Sequence, residues 1–219
     1  MRKEVLSAGR AQWIERYGLG DLPMESMYLF QYEKGEYLCR AGETIPNLLL
    51  ITEGKVRVSI TGFNGKSLLY CINVNRGILG SIELLSGAPA TASGLALTPV
   101  TCIAVPIAEN IDRLRGSLAF MNCLCRELST VFESSSRNSA LNILYPLETR
   151  LCSYIAITQE NGRFEERLVD VHELLGSSYR HLLRTLDALC VKGVLDRGKR
   201  GYVVADQERL EQIAQGYYG

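Results

Sequence analysis

Between Gly176 and Tyr202 the chain places Arg180, Arg184, Lys192, Arg197, Lys199 and Arg200 against only Asp187 and Asp196. Across all 219 residues, 24 Lys and Arg offset 24 Asp and Glu, so this stretch is a basic island in a neutral chain. A local excess of positive charge is the usual footprint of a surface that holds phosphates. The neighbouring residue types sharpen that reading. Ser177 and Ser178 stand just before Tyr179, Arg180 and His181, and Arg184 follows one helical turn later. Arginine can donate two hydrogen bonds to guanine O6 and N7, while serine hydroxyls and helix N-terminal amides can hold phosphate oxygens. Side chains of this kind reach base edges when they sit in the first two turns of a helix that enters a groove end-on.

Such residues need a scaffold, and the flanking pattern supplies one. "VHELLG" reads as a short helix with Asp170 as its N-cap, and Gly176 permits a sharp turn after it. Ser177 or Ser178 can cap a second helix running through about Lys192, with Leu182, Leu183, Leu186 and Leu189 on its buried face. "GVLDRGKRGYVVAD" then reads as two strands around a tip that carries Lys199 and Arg200. Helix, tight turn, helix and basic hairpin is the order of a winged helix-turn-helix.

Upstream, residues 27 to 106 have an all-β texture. "LLLIT", "KVRVSI", "SLLYCINV" and "TCIAV" alternate with turns at Gly35, Gly42, Gly54, Gly62, Gly65, Gly77 and Gly87, which suggests a closed or rolled antiparallel sheet. "GFNGK" at 62 to 66 reads as a hairpin loop, and residues 1 to 20 as a helix packed on this unit. After Pro106 the period turns helical. Leu118, Met121, Cys125, Leu128 and Phe132 recur at steps of three and four, with a second line through Leu124 and Val131. That seam fits a helix docked on its own domain, and more sharply a dimer contact, which is the reading preferred here. Ser134-Ser135-Ser136 reads as a hinge or as a solvated face, and Pro146 as a new helix start ending near Gly162.

Other function classes are poorly served. No run of about 18 apolar residues exists to span a membrane, and the N-terminus lacks a secretory core, so a cytoplasmic location is expected. Seven cysteines occur without a paired motif, beside only two histidines, His172 and His181. No disulfide framework or zinc site is expected, and the thiols read mainly as small core hydrophobes, a redox role staying open. A cupin-type enzyme would want histidine ligands in its strands, and residues 27 to 106 contain none. The chain is read as a binding protein, not an enzyme.

The whole pattern resembles the CRP/FNR (catabolite activator) family of transcription regulators, within it the YeiL-like ones. "YEKGEYLCRAGETIPNLLLITEGKVRVSITGFNGKSLLYCINVNRGILGSIELLSG" resembles the family's β-roll, residues 117 to 143 its dimer helix, and "LLGSSYRHLLRTLDALCVKGVL" with "GKRGYVV" its DNA-binding module. The resemblance implies an α+β chain: a cyclic-nucleotide-binding-like β-roll over 1–116, a dimerisation helix and hinge over 117–143, and a winged helix-turn-helix over 144–219. It carries the base-reading positions onto Tyr179, Arg180 and Arg184, and the phosphate-contacting serine onto Ser178. Ser177, His181, Lys199 and Arg200 join them as DNA-binding candidates.

The effector segment departs from the family pattern. Gly80, Ser81, Ile82, Glu83, Ala90 and Thr91 mark the pocket. Ser81 stands at the family's acidic position and Ala90 at its arginine. A buried phosphate without a cation is costly, so tight cyclic AMP binding is not expected. No cysteine cluster precedes the β-roll, so an iron-sulfur centre is not expected either. The resemblance thus implies a homodimeric regulator on a palindromic double-stranded DNA site, gated by an unidentified effector or redox signal, with RNA polymerase as a further partner. The rival is a small-molecule sensor acting through a protein partner.

Overall fold

The computed structural model describes residues 2–6, 11–62 and 67–214. It divides into two compact units, Met1–Ile60 with Ile72–Glu133, and Thr61–Cys71 with Ser134–Gly219. The hairpin loop expected at "GFNGK" falls on residues 63 to 66, outside the described residues.

Two antiparallel sheets make the β-roll. One holds β1 (Arg2–Val5), β2 (Tyr28–Tyr32), β4 (Asn47–Glu53), β7 (Ile78–Leu79) and β9 (Val100–Pro106), in the order β1-β2-β9-β4-β7. The other holds β3 (Tyr37–Cys39), β5 (Lys55–Thr61), β6 (Ser67–Val74) and β8 (Ser93–Ala96), in the order β3-β8-β5-β6. The run Leu48-Leu49-Leu50-Ile51 lies on β4, and all four side chains are buried. A strand buried on both faces reads as a continuous apolar run instead of an alternation. Leu48 pairs with Val105 and Leu50 with Ile103, and these four join Phe120 and Leu124 in one core cluster.

Three helices follow in this part of the chain: α2 (Ser81–Ser86), which interrupts the β texture, α3 (Ile107–Gly116) and α4 (Leu118–Leu144). Helix α4 runs unbroken through Ser134-Ser135-Ser136. Its seam divides. Phe120, Cys123 and Leu124 are buried, Met121 and Leu128 pack partly against the core cluster, and Leu118 and Phe132 are 75% and 72% exposed.

The N-terminus corrects the expectation of one helix over residues 1 to 20. Arg2–Val5 forms an edge strand, with Lys3 opposite Phe30, and among the described residues of this stretch Ala11–Arg16 alone is helical (α1). Edge pairing with β2 and the Lys3 ammonium over the Tyr28 ring, 3.5 Å from its centroid, override the helical pattern here. Trp13 stacks on Tyr17 with ring centroids 6.4 Å apart. The Tyr17 hydroxyl donates to the Ile51 carbonyl at 2.5 Å and accepts from Gly77 N–H at 3.3 Å. Gly18 has a positive φ of 66°, and a Cβ there would meet the Ala119 backbone at 2.6 Å. Only glycine permits so close an approach at that dihedral.

In the second unit α5 (Leu147–Thr158), α6 (Leu168–Leu174), α7 (Tyr179–Val191) and α8 (Gln207–Ala214) surround a sheet of β10 (Arg163–Phe164), β12 (Gly201–Val204) and β11 (Leu195–Gly198), in that order. Leu151, Ile155, Val171, Leu174, Leu182, Leu186 and Leu189 are among its buried residues. Pro146 precedes α5 as its N-cap. The helix stops at Thr158, earlier than the expected end near Gly162. Gln159 Oε1 accepts from Gly162 N–H at 2.6 Å, and Asn161-Gly162 turn the chain back at positive φ into a bridge from Glu160 to Arg163.

Candidate nucleic-acid interface

Helix α6 begins at Leu168 with Arg167 as its N-cap, so Asp170 is not the cap. Asp170 lies in the first turn, 4.0 Å from the Arg167 guanidinium, where a carboxylate still favours the helix N-terminus. After Leu175, Gly176 takes φ 59° and turns the chain. Ser178 is the N-cap of α7: its hydroxyl accepts from His181 N–H at 3.2 Å, and its hydrogen stays available as a donor. The C-terminal ends of both helices are held by arginines. Arg150 from α5 donates to the Leu175 carbonyl, and Arg209 from α8 donates to the Lys192 carbonyl at 2.8 Å.

The inward face of α7 is Leu182, Thr185, Leu186 and Leu189, with Leu183 only half-buried. Thr185 replaces Leu183 in the expected buried set because its hydroxyl can be satisfied locally, donating to the His181 carbonyl at 2.9 Å. Opposite this face Tyr179, Arg180, His181 and Arg184 are exposed, as are Ser178, Lys199 and Arg200, while Ser177 is half-buried. The structure therefore groups Ser178, Tyr179, Arg180, His181 and Arg184 on the first two turns of one helix. Lys199 and Arg200 sit at the tip between β11 and β12, where Gly198 pairs with Gly201. Around this tip lies an open groove of about 550 Å³, lined by Arg163, Glu165 and residues 198 to 203.

The six cations of this stretch differ in what they already hold. Lys192 is bonded to Glu148 at 2.5 Å and Arg197 to Asp187 at 2.5 Å. Among the described residues, Arg180, Arg184, Lys199 and Arg200 form no ion pair. An exposed guanidinium or ammonium without a carboxylate partner is a donor set ready for phosphate or a base edge.

The β-roll candidates behave in the opposite way. Gly80 caps α2 at φ 90°, Ser81 is buried with its hydroxyl 3.5 Å from the Ile78 carbonyl, and Ile82 is exposed. Glu83 Oε1 accepts from Thr91 N–H at 3.0 Å and from the Thr91 hydroxyl at 3.3 Å. Ala90 is buried, its N–H donating to the Glu43 carbonyl and its carbonyl accepting from Gly42 N–H, both at 2.8 Å. The polar groups named here are thus bonded from within the unit. Burial pushes the Cys71, Cys102 and Cys152 thiols up to about 12, and raises Cys39, Cys123 and Cys190 as well. Among the described residues no three His, Cys, Asp or Glu side chains gather as a metal site, and no helix is long and apolar enough to cross a membrane.

His172 is not among the candidates that the sequence singles out, yet it touches them. Its ring meets Tyr179 edge-to-face with centroids 5.7 Å apart, and its Nδ1 lies 3.1 Å from the Ser177 carbonyl. Only the fold reveals this, since a histidine in a short helix carries no distinguishing pattern.

Residues 29–115 match the family model described as cyclic nucleotide-binding domain. Over 186 residues the chain is 28% identical to the regulatory protein YeiL of Escherichia coli O157:H7, covering 85% of each. Two solved transcriptional regulators from Thermus thermophilus share the fold. One, of the CRP family, has a TM-score of 0.72 at 16% identity, covering 87% of this chain and 98% of its own. The other, of the CRP/FNR family, has a TM-score of 0.70 at 18% identity, covering 86% and 99%.

Proposed function

We propose that this YeiL homologue, built on the CRP/FNR fold with a cyclic nucleotide-binding domain, is a transcription regulator that binds a palindromic DNA site as a homodimer. One observation carries the reading: of the six cations of this stretch, the four that form no ion pair among the described residues lie on the first turns of α7 and at the wing tip, while Lys192 and Arg197 are neutralised elsewhere. Arg180 and Arg184 read base edges, Ser178 and the α7 amides hold a phosphate, and Lys199 and Arg200 meet the backbone beside it. Dimerisation runs along α4. Leu118, Cys125 and Phe132 are exposed at a strict seven-residue spacing, the period that keeps one face toward a parallel partner. Two-fold pairing then sets half-site centres about one DNA turn, roughly 34 Å, apart.

The β-roll works without tight cyclic AMP binding. An anion approaching Thr91 meets the Glu83 carboxylate, which already occupies that residue's amide and hydroxyl. Ala90 offers a methyl group where the family pattern has a guanidinium. The gating signal is a different effector or a redox event, and the cytoplasm is the compartment that supplies both DNA and reduced thiols. The chain's similarity is to regulators, and we assign it no catalytic role.

Selection from a randomised DNA pool at moderate and raised salt tests this reading. The expected result is an enriched two-fold palindrome whose affinity falls steeply with salt. A pool that stays random, with and without cell extract as a source of effector, would overturn it. Phe132→Glu is expected to give monomers in sedimentation and to abolish palindrome binding. Calorimetric titration with cyclic AMP is expected to show no binding at micromolar concentrations.

A further inference from the structure

Resting on that reading, we infer that His172 is a positioning residue that fixes Tyr179 and so sets base preference at one position of each half-site. Tyr179 is the first residue of α7 and is 43% exposed. An exposed tyrosine at a helix start has staggered rotamers open to it, and a ring that samples several of them reads no base. Here the ring is braced. His172, half-buried on α6, meets it at 5.7 Å and 74°, an arrangement in which the edge of one ring faces the other.

His172 is itself fixed from its other side. Its Nδ1 lies 3.1 Å from the Ser177 carbonyl oxygen, which can only accept, so that nitrogen carries a proton and donates. In return, the His172 carbonyl accepts from Ser177 N–H at 2.8 Å and lies 3.4 Å from the Ser177 hydroxyl. One histidine therefore spans the turn, tying the residue before the N-cap to the ring just after it. A braced aromatic face at the leading end of the helix suits an apolar contact with a thymine methyl group.

Two substitutions separate the two roles. His172→Gln keeps an amide donor for the Ser177 carbonyl and removes the ring, whereas His172→Phe keeps the ring and removes the donor. Each is compared with Tyr179→Ala and with the His172→Gln/Tyr179→Ala double variant, on the selected operator and its single-base-pair variants. His172→Gln is expected to relax discrimination about fivefold or more at the same base pair that Tyr179→Ala relaxes. The double variant is expected to lose nothing further there, and His172→Phe to keep the preference.

Discrimination unchanged by His172→Gln would overturn the inference. So would a uniform loss on all sequences with a shallower salt slope, which marks a direct phosphate contact. If His172→Gln does not fold, as read from its thermal midpoint, His172→Phe decides: retained preference supports the inference and lost preference overturns it. A parent protein that enriches no sequence would remove the DNA reading itself, and His172's role with it. An enriched operator indifferent to His172 removes the second alone.

Discussion

The helix-turn-helix and the β-roll turn handle their polar groups in opposite ways. At the start of α7 and on the wing, Arg180, Arg184, Lys199 and Arg200 project without carboxylate partners among the described residues. At α2 and the turn after it, Glu83 serves Thr91 twice and the Ala90 backbone is bonded on both sides. One surface leaves its donors open, and the other has consumed them. A binding site is thus recognised less by which residues it contains than by whether those residues are already engaged.

Closure also marks the core thiols of both units, and alkali should break it first. Cys71, Cys102 and Cys152 have folded values raised to about 12 against an ordinary value near 9. Their neutral forms stabilise the fold fully below about pH 9, and that contribution is lost as pH rises from there toward 12. By pH 10 each thiol is expected to withdraw on the order of 1 kcal/mol, visible as a falling midpoint in urea titrations at stepped pH. A midpoint flat from pH 8 to 10 would mean that these thiols are not closed off.

On the open side, Arg180→Ala is expected to cost about 1–3 kcal/mol in operator binding and to relax specificity at one base pair. Equal binding of operator and random DNA by parent and variant would remove α7 as the reader. Next in size, Glu83→Ala strips the Thr91 turn of its acceptor, at about 1 kcal/mol of stability, or a lowering of the thermal midpoint by about 2–4 °C. The smallest effect sharpens the comparison most. Lys199→Ala and Arg200→Ala should each lower the magnitude of the salt slope by about one, whereas Arg197→Ala, whose side chain is held by Asp187, should leave it within error. Equal slopes for all three would mean that pairing does not separate the two kinds of cation.

How much of this is legible in the sequence depends on the range of the interaction. The strands over 47–61 and 67–74, the turn at Gly176 and a serine cap at 177 or 178 are local and read well, although the cap expected at Asp170 falls on Arg167. The edge strand Arg2–Val5 is not legible, because its partner lies at Tyr28–Tyr32 and an amphipathic stretch does not announce a sheet. Thr185 takes the place expected of Leu183 because a hydroxyl satisfied by its own helix can be buried, which hydrophobicity alone does not reveal. The basic island is visible as a count, but its division is not. Lys192 finds Glu148 across 44 positions, and Arg197 finds Asp187 across ten. The sequence places Glu83 near Thr91, and the bonds that turn its carboxylate onto that residue emerge only from the fold.

The docking of Tyr17 and Gly18 has a practical consequence. Trp13 is the single tryptophan of the chain, it stacks on Tyr17, and the Arg16 guanidinium lies 5.0 Å from its ring centroid. Tyr17 in turn is bonded to the β-roll at Ile51 and Gly77, and Gly18 abuts the start of α4. The protein therefore carries its own optical reporter at the joint between sheet and helix. Indole emission followed during titration with candidate effectors or with DNA will register, without any label, whether that joint stays seated.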